Sequence, residues 1–192
     1  MARNKGLSFY RRKKKINNAI IREIFNWFFG IFASVFLALV GVYFFGMSVN
    51  VVGISMEDTL YNAQKILVNR FIYIVTSPKK NDCVVFLPKG NENTHYYVKR
   101  VVGVPGDTLL ISDGVLYVNG EASDLYENGI SDPGILSVEM TLKSGEYFCI
   151  GDNPDNSEDS RSANIGVIKD EYLVGKAWFK FKCPHGKAGF ID

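Results

Sequence analysis

Ser55 and Lys99 are the residues whose types and surroundings best suit nucleophilic catalysis. Ser55 follows Gly53 at the end of an apolar run, where a serine hydroxyl can project into a cleft and the glycine lets another backbone approach closely. Lys99 interrupts the apolar run 96–104. Because both faces of that run are otherwise apolar, burial would disfavour the ammonium form, and a neutral lysine can act as a general base.

Both segments also have an ordinary structural interpretation. Most Gly-x-Ser triplets are simple turns. A lysine in a strand often extends its ammonium to solvent and protects an exposed sheet edge from pairing with another chain. The distance between Ser55 Oγ and Lys99 Nζ is therefore the decisive quantity.

A third segment, residues 151–161, is rich in acidic and small polar side chains. It does not match a calcium-binding EF-hand loop. Counted from Asp152, the third position is Pro154, and counted from Asp155, the sixth position is Ser160 rather than glycine. A solvated loop with hydrogen-bonded turns is the ordinary interpretation.

The functional interpretation of this segment is a rigid loop. Ser157 would orient a neighbouring side chain, and Asp159 would pair with Arg161 or Arg100. An arginine in bidentate contact with a carboxylate makes a stiff connection.

Other chemistries fit the sequence less well. A Ser-His-Asp triad would need His95, which no spacing places beside Ser55, or a histidine in the C-terminal tail. Cys83, Cys149 and Cys183 lack the paired spacing of a zinc site, and all three disulfide pairings between them stay open. No glycine-rich phosphate loop is present, so neither a metal nor another cofactor is expected.

The N-terminus predicts a membrane anchor. Residues 24–47 form an uncharged stretch that is long enough to cross a bilayer as a helix. We place the transmembrane helix at 23–47, after a basic tail over 1–22 that holds eight of the 22 Lys and Arg residues and no acidic one. That asymmetry predicts a cytoplasmic N-terminus and an extracytoplasmic domain over 48–192. A cleaved secretory signal is the alternative, although its apolar region is usually shorter.

The predicted domain is mostly β, with short apolar runs separated by turn residues. An Asp-Gly turn at 113–114 predicts a hairpin, and residues 121–138 are expected to form a loop or small excursion. No helix is expected beyond residue 48 except a turn near 56–62. The predicted strands are 49–54, 66–75, 83–87, 96–104, 108–111, 115–118, 147–150 and 173–181.

The charge balance argues against a nucleic-acid partner. Beyond residue 22, 14 basic residues remain against all 20 acidic ones, so the predicted domain is acidic. A globular domain that binds DNA or RNA is normally basic.

Together, and in this order behind an anchor, the three segments resemble the type I (bacterial-type) signal peptidases. Residues 53–60 match the family's Gly-x-Ser-Met-x-Pro-Thr-Leu except that Asp58 replaces proline. Residues 99–107 match Lys-Arg-Val-Val-Gly-x-Pro-Gly-Asp, and residues 151–161 match Gly-Asp-Asn-x-x-x-Ser-x-Asp-Ser-Arg throughout. The resemblance covers nearly all of residues 24–181, and the single predicted anchor resembles the shorter Gram-positive form.

The resemblance implies a Ser-Lys peptidase that removes signal peptides from exported preproteins at the membrane. Ser55 would be the nucleophile, with its N–H in the oxyanion hole, and Lys99 the general base. Ser157 would hydrogen-bond and orient Lys99, and Met56 would help to wall the substrate cleft. The residues implied to brace the loop are Asp159, Arg100 and Arg161.

The same resemblance implies an antiparallel β-sheet barrel domain and cleavage after small residues at positions −1 and −3 of an extended substrate. Asp58 is the main departure, because a carboxylate directed at Lys99 would favour the ammonium and oppose its action as a base. Ile54 is also more apolar than the usual residue. The alternative function is a catalytically silent relative that acts as an assembly factor or chaperone for surface polymers.

Overall fold

A computed structural model describes residues 18–91 and 95–191, without the side chain of Phe44. Most of the basic tail predicted over 1–22 lies outside the described residues. The chain divides after Val40 into two units, an N-terminal one and a larger C-terminal one.

The apolar segment forms one long helix, α1, over Asn18–Phe45. Its 28 residues extend about 42 Å at 1.5 Å per residue. The stretch Asn18–Tyr43 has a mean hydropathy of 2.0 and no buried residue, so it is long and apolar enough to cross a membrane. Helix α1 ends at Phe45, and the N–H of Gly46, the first residue beyond it, still donates to Val42 O.

The C-terminal unit consists mainly of two antiparallel sheets. The strands, in chain order, are β1 Met47–Asn50, β2 Lys65–Asn69, β3 Cys83–Phe86, β4 Tyr97–Gly103, β5 Thr108–Ser112, β6 Val115–Val118, β7 Glu121–Ala122, β8 Met140–Thr141, β9 Glu146–Ile150, β10 Ile168–Lys169, β11 Leu173–Lys180 and β12 Gly189–Phe190. The larger sheet has the order β1-β2-β11-β3-β4-β9-β10, with β12 paired to β11, and the smaller sheet has the order β7-β6-β5-β8. The predicted class, mostly antiparallel β with one N-terminal apolar helix, is confirmed.

One local prediction is confirmed and another is wrong. The hairpin is confirmed, since Ser112 opposes Val115 across the turn at 113–114. The single strand predicted over 66–75 is wrong: β2 ends at Asn69, and a short helix, α2, covers Ile72–Val75. The cause is Asn69, whose Oδ1 accepts hydrogen bonds from the N–H groups of Phe71 and Ile72. These bonds turn the chain out of the sheet and into α2.

The segment 121–138 contains β7 and two short 3-10 turns, Asp124–Tyr126 and Gly134–Ser137, and is otherwise irregular. Through β7 it extends the smaller sheet.

Strand β4 is the element that positions the site. Its residues 97–100 pair with β3, whereas its pairing with β9 begins at Arg100 opposite Ile150. Residues 97–99 therefore have a strand neighbour on one side and an unpaired edge on the other. Val98 and Val101 are buried in separate apolar clusters, so β4 is covered on both faces around Lys99.

Candidate active site

Ser55 lies in the connection between β1 and β2, at the start of a tight turn. Met56 O accepts the N–H groups of Thr59 and Leu60, which makes one helix-like turn directly after the serine. Met56 and Leu60 are both fully buried in the apolar core on the inner side of this turn. This anchoring presents the half-buried Ser55 at the surface of the domain.

The expected role of Met56 as a wall of the cleft is not supported, because its side chain is in the core and not among the residues that line the cleft. An apolar side chain that begins a buried turn has more to gain from the core than from the cleft. Met56 therefore anchors the turn next to Ser55 in the apolar core.

Lys99 lies in β4 with 4% of its surface exposed, and its Nζ is 2.5 Å from Ser55 Oγ. Burial lowers the pKa of Lys99 from an ordinary value of 10.5 to about 8, although the Asp159 and Glu158 carboxylates act in the opposite direction. The amine is thus shielded from water and in hydrogen-bond contact with the hydroxyl. Asp58, which replaces the proline of the family motif, has an exposed side chain. The carboxylates that act most strongly on the Lys99 pKa are those of Asp159 and Glu158.

Asp159 is the buried centre of the loop that follows β9. Its carboxylate, with no exposed side-chain surface, accepts two hydrogen bonds from Arg161, from Nε and from Nη2, each at 2.9 Å. Arg161 also donates to the carbonyl oxygens of Asp132 and Pro154. Of the two pairings left open by the sequence, the structure has Asp159 with Arg161.

Arg100 pairs instead with Asp152, which sequence reasoning did not single out. Its Nε and Nη2 donate to the two carboxylate oxygens of Asp152 at 2.7 and 2.8 Å. Asp152 belongs to the Gly-Asp-Asn start of the third segment, so the motif itself carried the signal. The pair connects β4 to the start of the loop that follows β9.

Ser157 makes a different bond from the one expected. Its hydroxyl donates to Asp159 Oδ2 at 2.6 Å, and no hydrogen bond joins it to Lys99 within residues 18–91 and 95–191. A buried carboxylate is a stronger acceptor than a neutral amine, so it takes the hydroxyl proton. Ser157 is therefore bonded to Asp159, whose charge in turn acts on the pKa of Lys99.

The loop also contacts the backbone on either side of the candidate nucleophile. Asn153 donates its N–H to Ser55 O at 3.0 Å and its Nδ2 to Ile54 O at 3.3 Å. At Gly151 a Cβ atom would overlap both Ser157 Oγ and Ser55 O, so this close approach requires glycine. The turn and the loop are therefore held as one unit.

A cleft of about 260 Å³ opens beside this unit. Its walls are residues 51–55, residues 95–99, Asn156 and Glu158. The Ser55 N–H donates no hydrogen bond to any described residue, which leaves it available to a ligand. Glu158 is part of this wall, although no residue type or spacing in the sequence predicts that position.

Among the residues that the structure describes, the cysteines and the acidic side chains form no metal-binding cluster or disulfide. All three cysteines are free, and burial raises the pKa of the Cys83 thiol to about 12 and also raises that of Cys149. Over the described ranges, no group of three or more His, Cys, Asp or Glu side chains is arranged to hold a metal ion.

The sequence profile described as "Signal peptidase, peptidase S26" matches residues 24–182. Signal peptidase I T of Bacillus subtilis (strain 168) is 32% identical over 178 residues, covering 88% of each chain. Signal peptidase IB of Staphylococcus aureus (strain COL) is 33% identical over 178 residues, covering 83% of this chain and 90% of that protein. A crystal structure of a signal peptidase I from Enterococcus faecalis V583 matches at 27% identity with a TM-score of 0.40, over 53% of this chain and 97% of that one.

Because the profile match covers most of the chain, this protein is an S26-family protein. The chain belongs to the signal peptidase I family, and the relatives named here come from Gram-positive bacteria.

Proposed function

We propose that this protein is a membrane-bound serine endopeptidase that cleaves signal peptides from exported preproteins with a Ser55–Lys99 dyad. The observation that carries the proposal is the 2.5 Å contact between Ser55 Oγ and the amine of a lysine that is 4% exposed. The substrate class comes from the family, whose relatives named above are signal peptidases. No cofactor takes part in the proposed chemistry.

The proposed reaction is a series of proton transfers through Lys99. Neutral Lys99 takes the hydroxyl proton of Ser55, and the resulting alkoxide attacks the scissile carbonyl. The Ser55 N–H stabilises the oxyanion, and the Lys99 ammonium then returns its proton to the leaving amine. Lys99 next takes a proton from water, and the resulting hydroxide attacks the carbonyl of the acyl-enzyme. The Lys99 ammonium then returns that proton to the departing Ser55 Oγ, which releases the signal peptide with a free carboxyl group and restores both Ser55 and neutral Lys99.

The substrate is expected to bind as an extended strand. The unpaired edge of residues 97–99 offers main-chain groups beside Ser55, and strand addition uses such an edge. The preference for small residues at −1 and −3 comes from the family alone.

The proposed setting is the membrane, with the N-terminus in the cytoplasm. Helix α1 would be the anchor, and the eight basic residues within positions 1–22 would retain the preceding tail on the cytoplasmic side. Residues 48–192 would then face outward, where signal peptides emerge.

The test is cleavage by the full chain in detergent micelles. A preprotein with Ala at −1 and −3 should yield one new N-terminus directly after the −1 residue, identified by mass spectrometry of the product. The matched substrate with a bulky side chain at −1 should remain uncut. A wild-type chain that binds the preprotein and leaves it intact would contradict the peptidase and favour the silent assembly factor.

The rate of cleavage should depend on pH through the protonation of Lys99. Because the pKa of Lys99 is about 8, the neutral fraction and therefore kcat/KM should rise about tenfold per pH unit below that value and level off above it. The measurement is kcat/KM for an uncharged fluorogenic peptide from pH 5 to 10. A profile that is flat between about pH 6 and 9 would contradict a titrating general base.

A further inference from the structure

The carboxylate of Glu158 lies at the rim of the cleft, next to the dyad. Tyr97 donates its hydroxyl to Glu158 Oε2 at 3.2 Å, and Lys99 Nζ lies 5.8 Å from the centroid of the Tyr97 ring. Burial and the Glu158 charge both raise the pKa of Tyr97, so its hydroxyl keeps the proton that it donates. Lys99, Tyr97 and Glu158 therefore follow one another along the cleft.

The position of Glu158 is fixed by its neighbours in the chain. It lies between Ser157 and Asp159, which share a 2.6 Å hydrogen bond. Asp159 is also held by the guanidinium of Arg161, and we call this Asp159–Arg161 pair the bracket. The backbone that carries Glu158 is thus held rigidly, while its side chain is exposed and can be reached by a bound peptide.

Among the described residues that line the cleft, Glu158 is the one carboxylate. The proposed reaction starts from neutral Lys99, and the remaining side chains of the walls are uncharged when His95 is neutral. A substrate therefore meets a cleft with one net negative charge during the step that forms the acyl-enzyme.

We propose that Glu158 is a specificity-determining residue, which favours signal peptides with a basic side chain near the scissile bond over those with an acidic one. The inference rests on the proposed function and adds a charge preference to it. In an extended substrate the side chains next to −1 and −3 alternate away from the small-residue face. A lysine or arginine there is long enough to meet a carboxylate at the rim.

The experiment compares three peptides that differ in one residue. Lys, Gln or Glu is placed in turn at each position flanking the scissile bond other than −1 and −3, and kcat/KM is measured with the full chain in detergent. At one position or more, we expect the wild type to prefer Lys over Glu by about fivefold, the range of an exposed ion pair. The preference should shrink at high salt, because the pair is screened.

Two variants assign the preference. Glu158→Gln should remove it and Glu158→Lys should reverse it, whereas Glu121→Gln, which removes the same charge from the smaller sheet, should leave it unchanged. Cleavage of the Gln peptide by the wild type tests the proposed function separately. Equal rates for the Lys and Glu peptides at every position, or a preference that survives in Glu158→Gln, would overturn the inference.

Discussion

Replacing Lys99 with methionine is expected to reduce kcat/KM at least about a thousandfold and, at the same time, to stabilise the folded domain at neutral pH. The loss of activity follows because methionine cannot take the Ser55 proton, and one member of a nucleophile–base pair supplies about that factor. Ser55→Ala should cause a similar loss. The double variant should be no worse than either single one, because the two residues act as a unit.

The gain in stability follows from the cost of burying an amine. The pKa of Lys99 is about 8 in the fold against 10.5 for an ordinary lysine, which corresponds to about 3 kcal/mol of unfavourable free energy at pH 7. Between these two pKa values the unfolded chain binds the extra proton, so the unfolding free energy of the wild type rises with pH. The advantage of Lys99→Met should therefore be full below pH 8, shrink between pH 8 and 10.5, and vanish above.

The measurement is urea unfolding of the full chain in detergent, followed by the fluorescence of Trp178 in a Trp27→Phe background. Lys187→Met is the matched control, because Lys187 is exposed and the same substitution there should change stability little. A Lys99→Met protein that is less stable than the wild type at pH 7, or that cleaves at the wild-type rate, would contradict a buried amine acting as the base.

Arg161→Ala is expected to destabilise the domain by about 3–5 kcal/mol, because it leaves the Asp159 carboxylate buried without its cation. Asp159 has no exposed side-chain surface and accepts two hydrogen bonds from the Arg161 guanidinium. Loss of the bracket should also release the loop that holds Ser55, so activity should fall even in protein that remains folded.

The matched control is Lys169→Ala, which removes an ion pair to Glu171 whose side chains are 55% and 66% exposed. That pair should contribute at most about 1 kcal/mol. The double variant Asp159→Asn, Arg161→Ala should lose less than the two single effects together, because the uncompensated charge is gone. Equal unfolding midpoints for Arg161→Ala and Lys169→Ala would contradict the role of the bracket.

The sequence predicted the long apolar helix and most of the strands, but it missed α2, and it missed or misassigned several side-chain contacts of the site. The apolar helix and the strand around Lys99 are visible because length and periodicity are local properties. The pairing of Arg100 with Asp152 was missed because both arginines have acidic residues within reach, and the choice depends on how β4 and β9 align.

The predictions for Met56 and Ser157 needed the fold for the same reason. Whether a side chain beside the nucleophile faces the cleft or the core depends on the turn formed by Thr59 and Leu60. The bond of the Ser157 hydroxyl depends on competition between an amine and a carboxylate that the bracket has already fixed in place.

The Ser55–Lys99 contact joins residues that are 44 positions apart, and the loop that supports it contributes Asn153, which bonds Ile54 from 99 positions further along the chain. In an extended chain the lysine would be hydrated and fully protonated near neutral pH, with no carbonyl-attacking group beside it. On the proposed mechanism, the newly made polypeptide is therefore inert toward other proteins while it is still being synthesised and moved across the bilayer. Hydrolytic competence would arise only with native structure, and no inhibitory propeptide would be required to delay it.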